Sequence, residues 1–243
     1  PYSLNLDPTQ AEKVITERTQ ALVPVHVYGN ACNPDSFQSI ADRHNLRLIY
    51  DASHAFGVQY QGKSLLSYGD AATLSFHATK LFHTVEGGGI VFKNRDDLER
   101  ARSMINFGQS PETPDDIASV GINAKMSELH AAMGLATLDS IEQIITQRRA
   151  LVKEYHRCLE GYVEFPQRKG SENGAYMPVL FASKDQTDVV DGVLQEAGIR
   201  PRRYFSPALH KTTAYGNDER CPVASDVAER ILCLPLYPEL TIS

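Results

Sequence analysis

Apolar positions fall in short runs along this chain, separated by segments with helical spacing. The mostly apolar runs at 20–27, 46–51, 71–76 and 89–92 have strand length. A continuous apolar run such as 46–51 suits a sheet buried on both faces. Between the first two, 35–45 sets Phe37, Ile40 and Ala41 on one helical face. Asn33-Pro34 offers an N-cap and a proline for the first helical position. Strand, helix and strand at this spacing predict a parallel βαβ unit. The runs at 71–76 and 89–92 flank a loop and predict a hairpin-like pair. A helix is expected over 94–105, with Asp96 and Asp97 in its first turn, where the helix dipole favours acids. Residues 107–119 are polar and hold Gly108, Pro111 and Pro114, which predicts a loop. A long helical pattern covers 126–159, with a bend expected near Asp139-Ser140. Then 176–182, 187–197 and 199–205 read as strand, helix, strand, and 224–232 as a last helix before Pro235.

Composition narrows the class. The chain has 243 residues, 42% hydrophobic and 22% charged, enough for a sizeable core in one large domain or two modest ones. A net charge of -6 argues against a nucleic-acid surface. No apolar stretch is long enough to span a bilayer, and no basic-then-apolar leader opens the sequence. The scattered cysteines Cys32, Cys158, Cys221 and Cys233 read as reduced thiols, which points to the cytoplasm. The sequence begins at Pro1, and 1–6 reads as the middle of a domain, so a preceding segment is expected.

The candidate chemistry lies at strand ends. Asp51 closes the run 46–51, and His54 follows it. Lys80 ends Ser75-Phe76-His77-Ala78-Thr79-Lys80, just before Gly87, Gly88 and Gly89. An isolated lysine is usually a solvated surface charge, and a strand-end aspartate often caps a turn. Together, a carboxylate at one strand end and a lysine with a nearby hydroxyl at a later one could hold pyridoxal phosphate. The lysine bonds the aldehyde, and the carboxylate keeps the pyridine nitrogen protonated.

Four segments carry a resemblance: Pro24-Val25-His26-Val27-Tyr28-Gly29, Asp51-Ala52-Ser53-His54-Ala55-Phe56-Gly57, the lysine string, and Gly121-Ile122-Asn123-Ala124-Lys125-Met126-Ser127-Glu128-Leu129. In this order they resemble the DegT/DnrJ/EryC1/StrS family of pyridoxal-phosphate-dependent aminotransferases, which mostly act on nucleotide-linked keto-sugars. The resemblance implies an α/β fold of type I, aspartate-aminotransferase-like, working as a homodimer. It implies a division into 1–148, part of the large cofactor-binding domain with a linking helix, and 149–243, a small C-terminal domain. It assigns Lys80, Asp51 and His54 to catalysis, and those three with Ser75 and Asn123 to the cofactor. Asn123 would reach the partner's cofactor phosphate, with Lys125 a weaker candidate. His77 has a lesser claim, as packing beneath the lysine loop. Arg202, Arg203, Tyr204 and His210 are expected to line the sugar-nucleotide site, with lesser claims for Tyr28 and Lys211. Glutamate or glutamine is the expected amino donor. The string 76–84 most resembles members that aminate C4 of dTDP-4-keto-6-deoxyglucose. Relatives that dehydrate sugars carry histidine in place of the lysine, so Lys80 favours transamination. A relative making a cyclic amino-acid-like product stays open, as does a truncated member acting as a non-catalytic or regulatory module.

Overall fold

The structure, a computed structural model, describes residues 3–110, 113–216 and 221–241. Pro1 and Pro111 lie outside the described residues. Helix α1 (Pro8–Lys13) begins at Asp7, whose carboxylate accepts the Thr9 N–H at 2.8 Å. Strand β1 (Ala21–Leu22), helix α2 (Pro34–His44) and strand β2 (Arg47–Asp51) follow, and β1 pairs with β2 in parallel. This is the expected βαβ unit. Its first strand is shorter than the run 20–27 because Pro24 has no N–H to give a ladder; beyond it only Val25 bridges to Asp51. Pro34 takes the first position of α2 as expected. Asn33 provides no side-chain cap and adopts a left-handed backbone at φ 37, a conformation asparagine tolerates.

A small ribbon, β3 (Gln59–Tyr60) with β4 (Lys63–Ser64), precedes β5 (Ala71–Ser75) and β6 (Gly88–Phe92). β5 lies parallel to β2 and antiparallel to β6, giving a mixed four-stranded sheet in the order β1-β2-β5-β6. The pair β5–β6 is the expected hairpin-like unit, and the lysine loop joins it. The main core forms where α2 covers β2. Phe37, Leu48, Tyr50 and Leu65 are wholly buried there, the phenylalanine and the two leucines each worth about 1.5–3 kcal/mol.

Helix α3 (Arg95–Ile105) starts at Asn94, whose side-chain oxygen accepts the Asp96 N–H at 2.8 Å. The segment 107–119 is not a loop throughout. It folds into an antiparallel ribbon, β7 (Gln109–Ser110) with β8 (Thr113–Ile117). Gly108, at φ 80, turns the chain, and its carbonyl accepts the N–H groups of Ala118 and Ser119. The expected bend in the long helix is a break between α4 (Glu128–Leu138) and α5 (Ile141–Leu159).

The last segments are β9 (Met177–Leu180), α6 (Lys184–Glu196), α7 (Pro222–Arg230) and β10 (Ile231–Leu234). β9 and β10 form an antiparallel pair over a second core of Val152, Met177, Val179, Phe181 and Leu232. Two expectations fail here. Residues 199–205 make only one bridge, Arg202 to Cys233, rather than a strand. The last helix stops at Arg230, and Ile231–Leu234 is a strand. A short apolar run does not by itself distinguish the two states. Among the described residues, no helix is long and apolar enough to cross a membrane, and no cluster of side chains could hold a metal ion.

Candidate active site

The carboxyl ends of β2 and β5 lie side by side, with Asp51 opposite Thr73 and Ser75 two residues further on. Ligands of parallel sheets gather beyond such ends. One Asp51 oxygen accepts the Ser53 N–H at 3.0 Å, turning the chain toward His54. The His54 ring is buried, and its Nδ1 accepts the Tyr28 backbone N–H at 3.1 Å. Burial pushes the imidazole down to about 4; Lys80 acts in the same direction and Asp51 opposes it. The ring packs at 4.5 Å from Tyr176 and stacks at 6.0 Å from Phe205.

The lysine loop leaves β5 and returns to β6. Thr84 N–H donates to the Phe76 carbonyl and Phe76 N–H to the Gly87 carbonyl, both at 2.9 Å. The buried Thr84 hydroxyl donates to the Glu86 carbonyl at 2.7 Å. Phe82 anchors the loop, stacked at 4.5 Å on Phe56 and edge-on at 4.9 Å to Phe76. Helix α4 supports it from below: a Cβ on Gly134 would stand 2.8 Å from the Thr84 methyl. A Cβ on Gly87 would collide with the Thr84 hydroxyl. On this support Lys80 is half-buried, and its ammonium makes no hydrogen bond or ion pair among the described residues. Burial lowers its pKa below the usual lysine value, and the Asp51 charge opposes that shift.

The structure brings Asp51, His54, Ser75 and Lys80 to one end of the sheet. Ser75 accepts the His77 N–H at 3.5 Å, which leaves its own proton free to donate. His77 is exposed and engaged within the loop, 2.8 Å from the Thr79 hydroxyl and 3.6 Å from Glu86. Asn123 is exposed; Lys125 donates to its side-chain oxygen at 2.7 Å and rests over the Phe107 ring. Among the described residues, no hydrogen bond or ion pair joins that pair to the four. Arg202 is exposed, while Arg203 is ion-paired to Asp188 at 2.5 Å and Asp191 at 3.0 Å on α6. His210 lies 2.8 Å from Ser225 on α7. Tyr204 joins the aromatic group: its carbonyl accepts the Tyr28 hydroxyl, and its ring lies 5.8 Å from Tyr176.

Sequence reasoning missed Asn173 and Tyr176. Asn173 is fully buried and donates to the carbonyls of His54 at 2.9 Å and Phe56 at 3.1 Å. In the sequence, Glu172-Asn173-Gly174 signals only a turn.

The model of the DegT/DnrJ/EryC1/StrS aminotransferase family matches residues 1–243. The chain belongs to that family. It is 39% identical over 239 residues to a dTDP-4-amino-4,6-dideoxy-D-glucose transaminase of Shigella dysenteriae, covering 95% of this chain and 65% of that protein. It is 34% identical over 251 residues to a protein of the same name from Escherichia coli, covering 97% of this chain and 66% of that one. The chain thus spans about two thirds of the length of these two relatives. Among solved structures, DesI, crystallised in the presence of its TDP-sugar product, superposes with a TM-score of 0.88 at 37% identity, over 98% of this chain and 62% of that one. The fold is accordingly that of the type I transferases, as the resemblance implied.

Proposed function

We propose that this chain carries the cofactor-bonding part of a pyridoxal-phosphate-dependent aminotransferase. It would move an amino group from glutamate or glutamine to a nucleotide-linked keto-deoxysugar, with dTDP-4-keto-6-deoxyglucose as the acceptor. One observation carries the reading: a half-buried Lys80 amine without a protein partner among the described residues, beside Asp51 at the ends of adjacent parallel strands. The names of the transaminase relatives and of DesI support the substrate class.

The donor set fits the cofactor. Lys80 would hold the aldehyde carbon, Asp51 the ring nitrogen, and Ser75 a phosphate oxygen through its hydroxyl proton. Bound there, pyridoxal phosphate supplies an electrophilic carbonyl and a ring that takes up electrons. Asp51 keeps one oxygen clear of Ser53, and its charge favours a proton on a facing ring nitrogen. Lys80, made less basic by burial, takes up and returns a proton at the substrate α-carbon. His54 stands as a neutral donor beside them, and Tyr176 and Phe205 wall its ring from water.

For the acceptor, Arg202 and Tyr204 are the better placed of the four small-domain candidates. The charge of Arg203 is already matched by Asp188 and Asp191. A homodimer completes the reading, with Asn123 of a second copy directed to the cofactor phosphate. The exposed apolar side chains Val120, Ile122, Leu129 and Leu135, beside Asn123 and on α4, support a covered face.

The test follows 2-oxoglutarate release from glutamate with a keto-sugar nucleotide as acceptor. The Asp51→Asn variant keeps the shape and removes the charge, and turnover should fall by about a hundredfold or more. Near-normal turnover removes Asp51 from the ring-nitrogen role.

A further inference from the structure

Three segments meet at His54: the turn 52–57, the pair Tyr28–Gly29, and the strap 172–176. Asn173 sits at their junction with no exposed surface. Both its N–H groups are used on carbonyls, those of His54 and Phe56, at 2.9 and 3.1 Å. Its side-chain oxygen accepts the Ala175 N–H at 3.1 Å. From the other side, Gly29 approaches so closely that a Cβ there would stand 2.7 Å from the His54 carbonyl oxygen. The backbone of His54 is therefore gripped between Asn173 and Gly29.

The ring is fixed independently. A backbone N–H can only donate, so the Tyr28 N–H at 3.1 Å requires Nδ1 of His54 to be unprotonated. The proton of the neutral ring is then on Nε2. Tyr28 is itself immobilised, through its hydroxyl to the Tyr204 carbonyl and through its own carbonyl to Arg168 at 3.4 Å. Tyr176, the residue after Ala175, packs its ring 4.5 Å from His54. The charged and titratable groups around the imidazole are Lys80, Asp51, Tyr28 and Tyr176. A second proton on the ring would set two donors head-on at the Tyr28 N–H.

We infer that Asn173 is a positioning residue for His54, and that with the Tyr28 N–H it fixes the imidazole as a neutral donor through Nε2. The catalytic meaning of that donor rests on the aminotransferase reading; the tautomer does not. The cluster gives the active site one hydrogen-bond donor whose direction and protonation are set by the fold. It also ties the segment before β9 to the cofactor-facing turn, so a shift of that segment moves the His54 ring.

The test is imidazole ¹H–¹⁵N correlation spectroscopy on the labelled protein without pyridoxal phosphate, with the His54 signals identified by their loss in His54→Gln. The expected wild-type result is a single Nε2–H tautomer from pH 8 down to about 5. An Nδ1–H tautomer, or a doubly protonated ring at pH 6, would overturn the inference. In Asn173→Ala the tautomers should mix, and the midpoint should rise by at least about one pH unit toward the ordinary value near 6.5. The same change is expected in Asn173→Leu, which keeps the size and adds no charge but cannot donate to either carbonyl. If only the second variant folds, it carries the test alone; an unchanged tautomer and midpoint in either folded variant refutes the positioning role. A protein with the expected tautomer that binds no pyridoxal phosphate would sink the aminotransferase reading and leave this inference standing.

Discussion

Replacing Gly29 by alanine tests how tightly the site is built. Gly29 has φ +75, where an L side chain costs about 1–2 kcal/mol. The added Cβ would also lie 2.7 Å from the His54 carbonyl oxygen and 2.9 Å from the Asn173 side-chain oxygen. Neither atom can retreat cheaply, because the first is backbone and both are hydrogen-bonded inside the protein. Overpacking of this kind adds about 1–3 kcal/mol. Gly62 supplies the control: it has the same φ of +75, and nothing lies within 4 Å of the place its Cβ would take. Gly62→Ala should therefore cost only the backbone part, about 1–2 kcal/mol, and Gly29→Ala about 2–5 kcal/mol. In urea unfolding, with a slope of about 3 kcal/mol per molar, the two midpoints should differ by about 0.3–1 M. Equal midpoints would show that the junction of Gly29, His54 and Asn173 yields freely, and the packing argument would be wrong.

Other consequences can be measured separately. His26 and His54 are each held down to about 4 by burial, from an ordinary 6.5. The unfolded chain binds these protons first as pH falls, so stability present above about 6.5 is lost toward 4, at up to about 1.4 kcal/mol per pH unit for each ring. His54→Gln should flatten the stability–pH slope between pH 4 and 6 by about that amount; an unchanged slope contradicts the buried neutral ring. In steady-state kinetics, Arg202→Ala should raise the acceptor KM by about tenfold or more, the scale of one lost charged hydrogen bond. Arg203→Ala should change it by less than about twofold and cost under about 1 kcal/mol of stability, since its partners are partly exposed acids. The reverse order would make Arg203 the substrate contact.

The legible parts of this protein are those where local pattern and tertiary role coincide. The α2 face of Phe37, Ile40 and Ala41 is apolar because it covers β2, and the run ending at Asp51 is apolar because the sheet is covered there. The lysine loop could be found because its glycines and hydroxyls sit at fixed offsets from Lys80. The ribbon of β7 and β8 gave no such signal: its strands are polar, and backbone bonds close the turn at Gly108. Residues 199–205 have strand composition but bridge only at Arg202, and the apolar run of β10 looked like a helix end. Asn173 was illegible for a different reason. Its work is done on carbonyls more than a hundred residues away in sequence, and a turn-forming Asn-Gly pair conceals it. Arg203 and His210 were expected at the sugar-nucleotide site through the family resemblance of their segment, and their partners on α6 and α7 emerge only in three dimensions.

On the proposed reading, Lys80 holds pyridoxal phosphate from the loop that leaves β5. The direct measurement is the visible spectrum of the purified protein with pyridoxal phosphate, before and after borohydride, followed by peptide mass analysis. The expected result is a yellow protein whose band disappears on reduction, with the pyridoxyl mass on the peptide that contains Lys80. No band at saturating cofactor, or a label on another lysine, would contradict it.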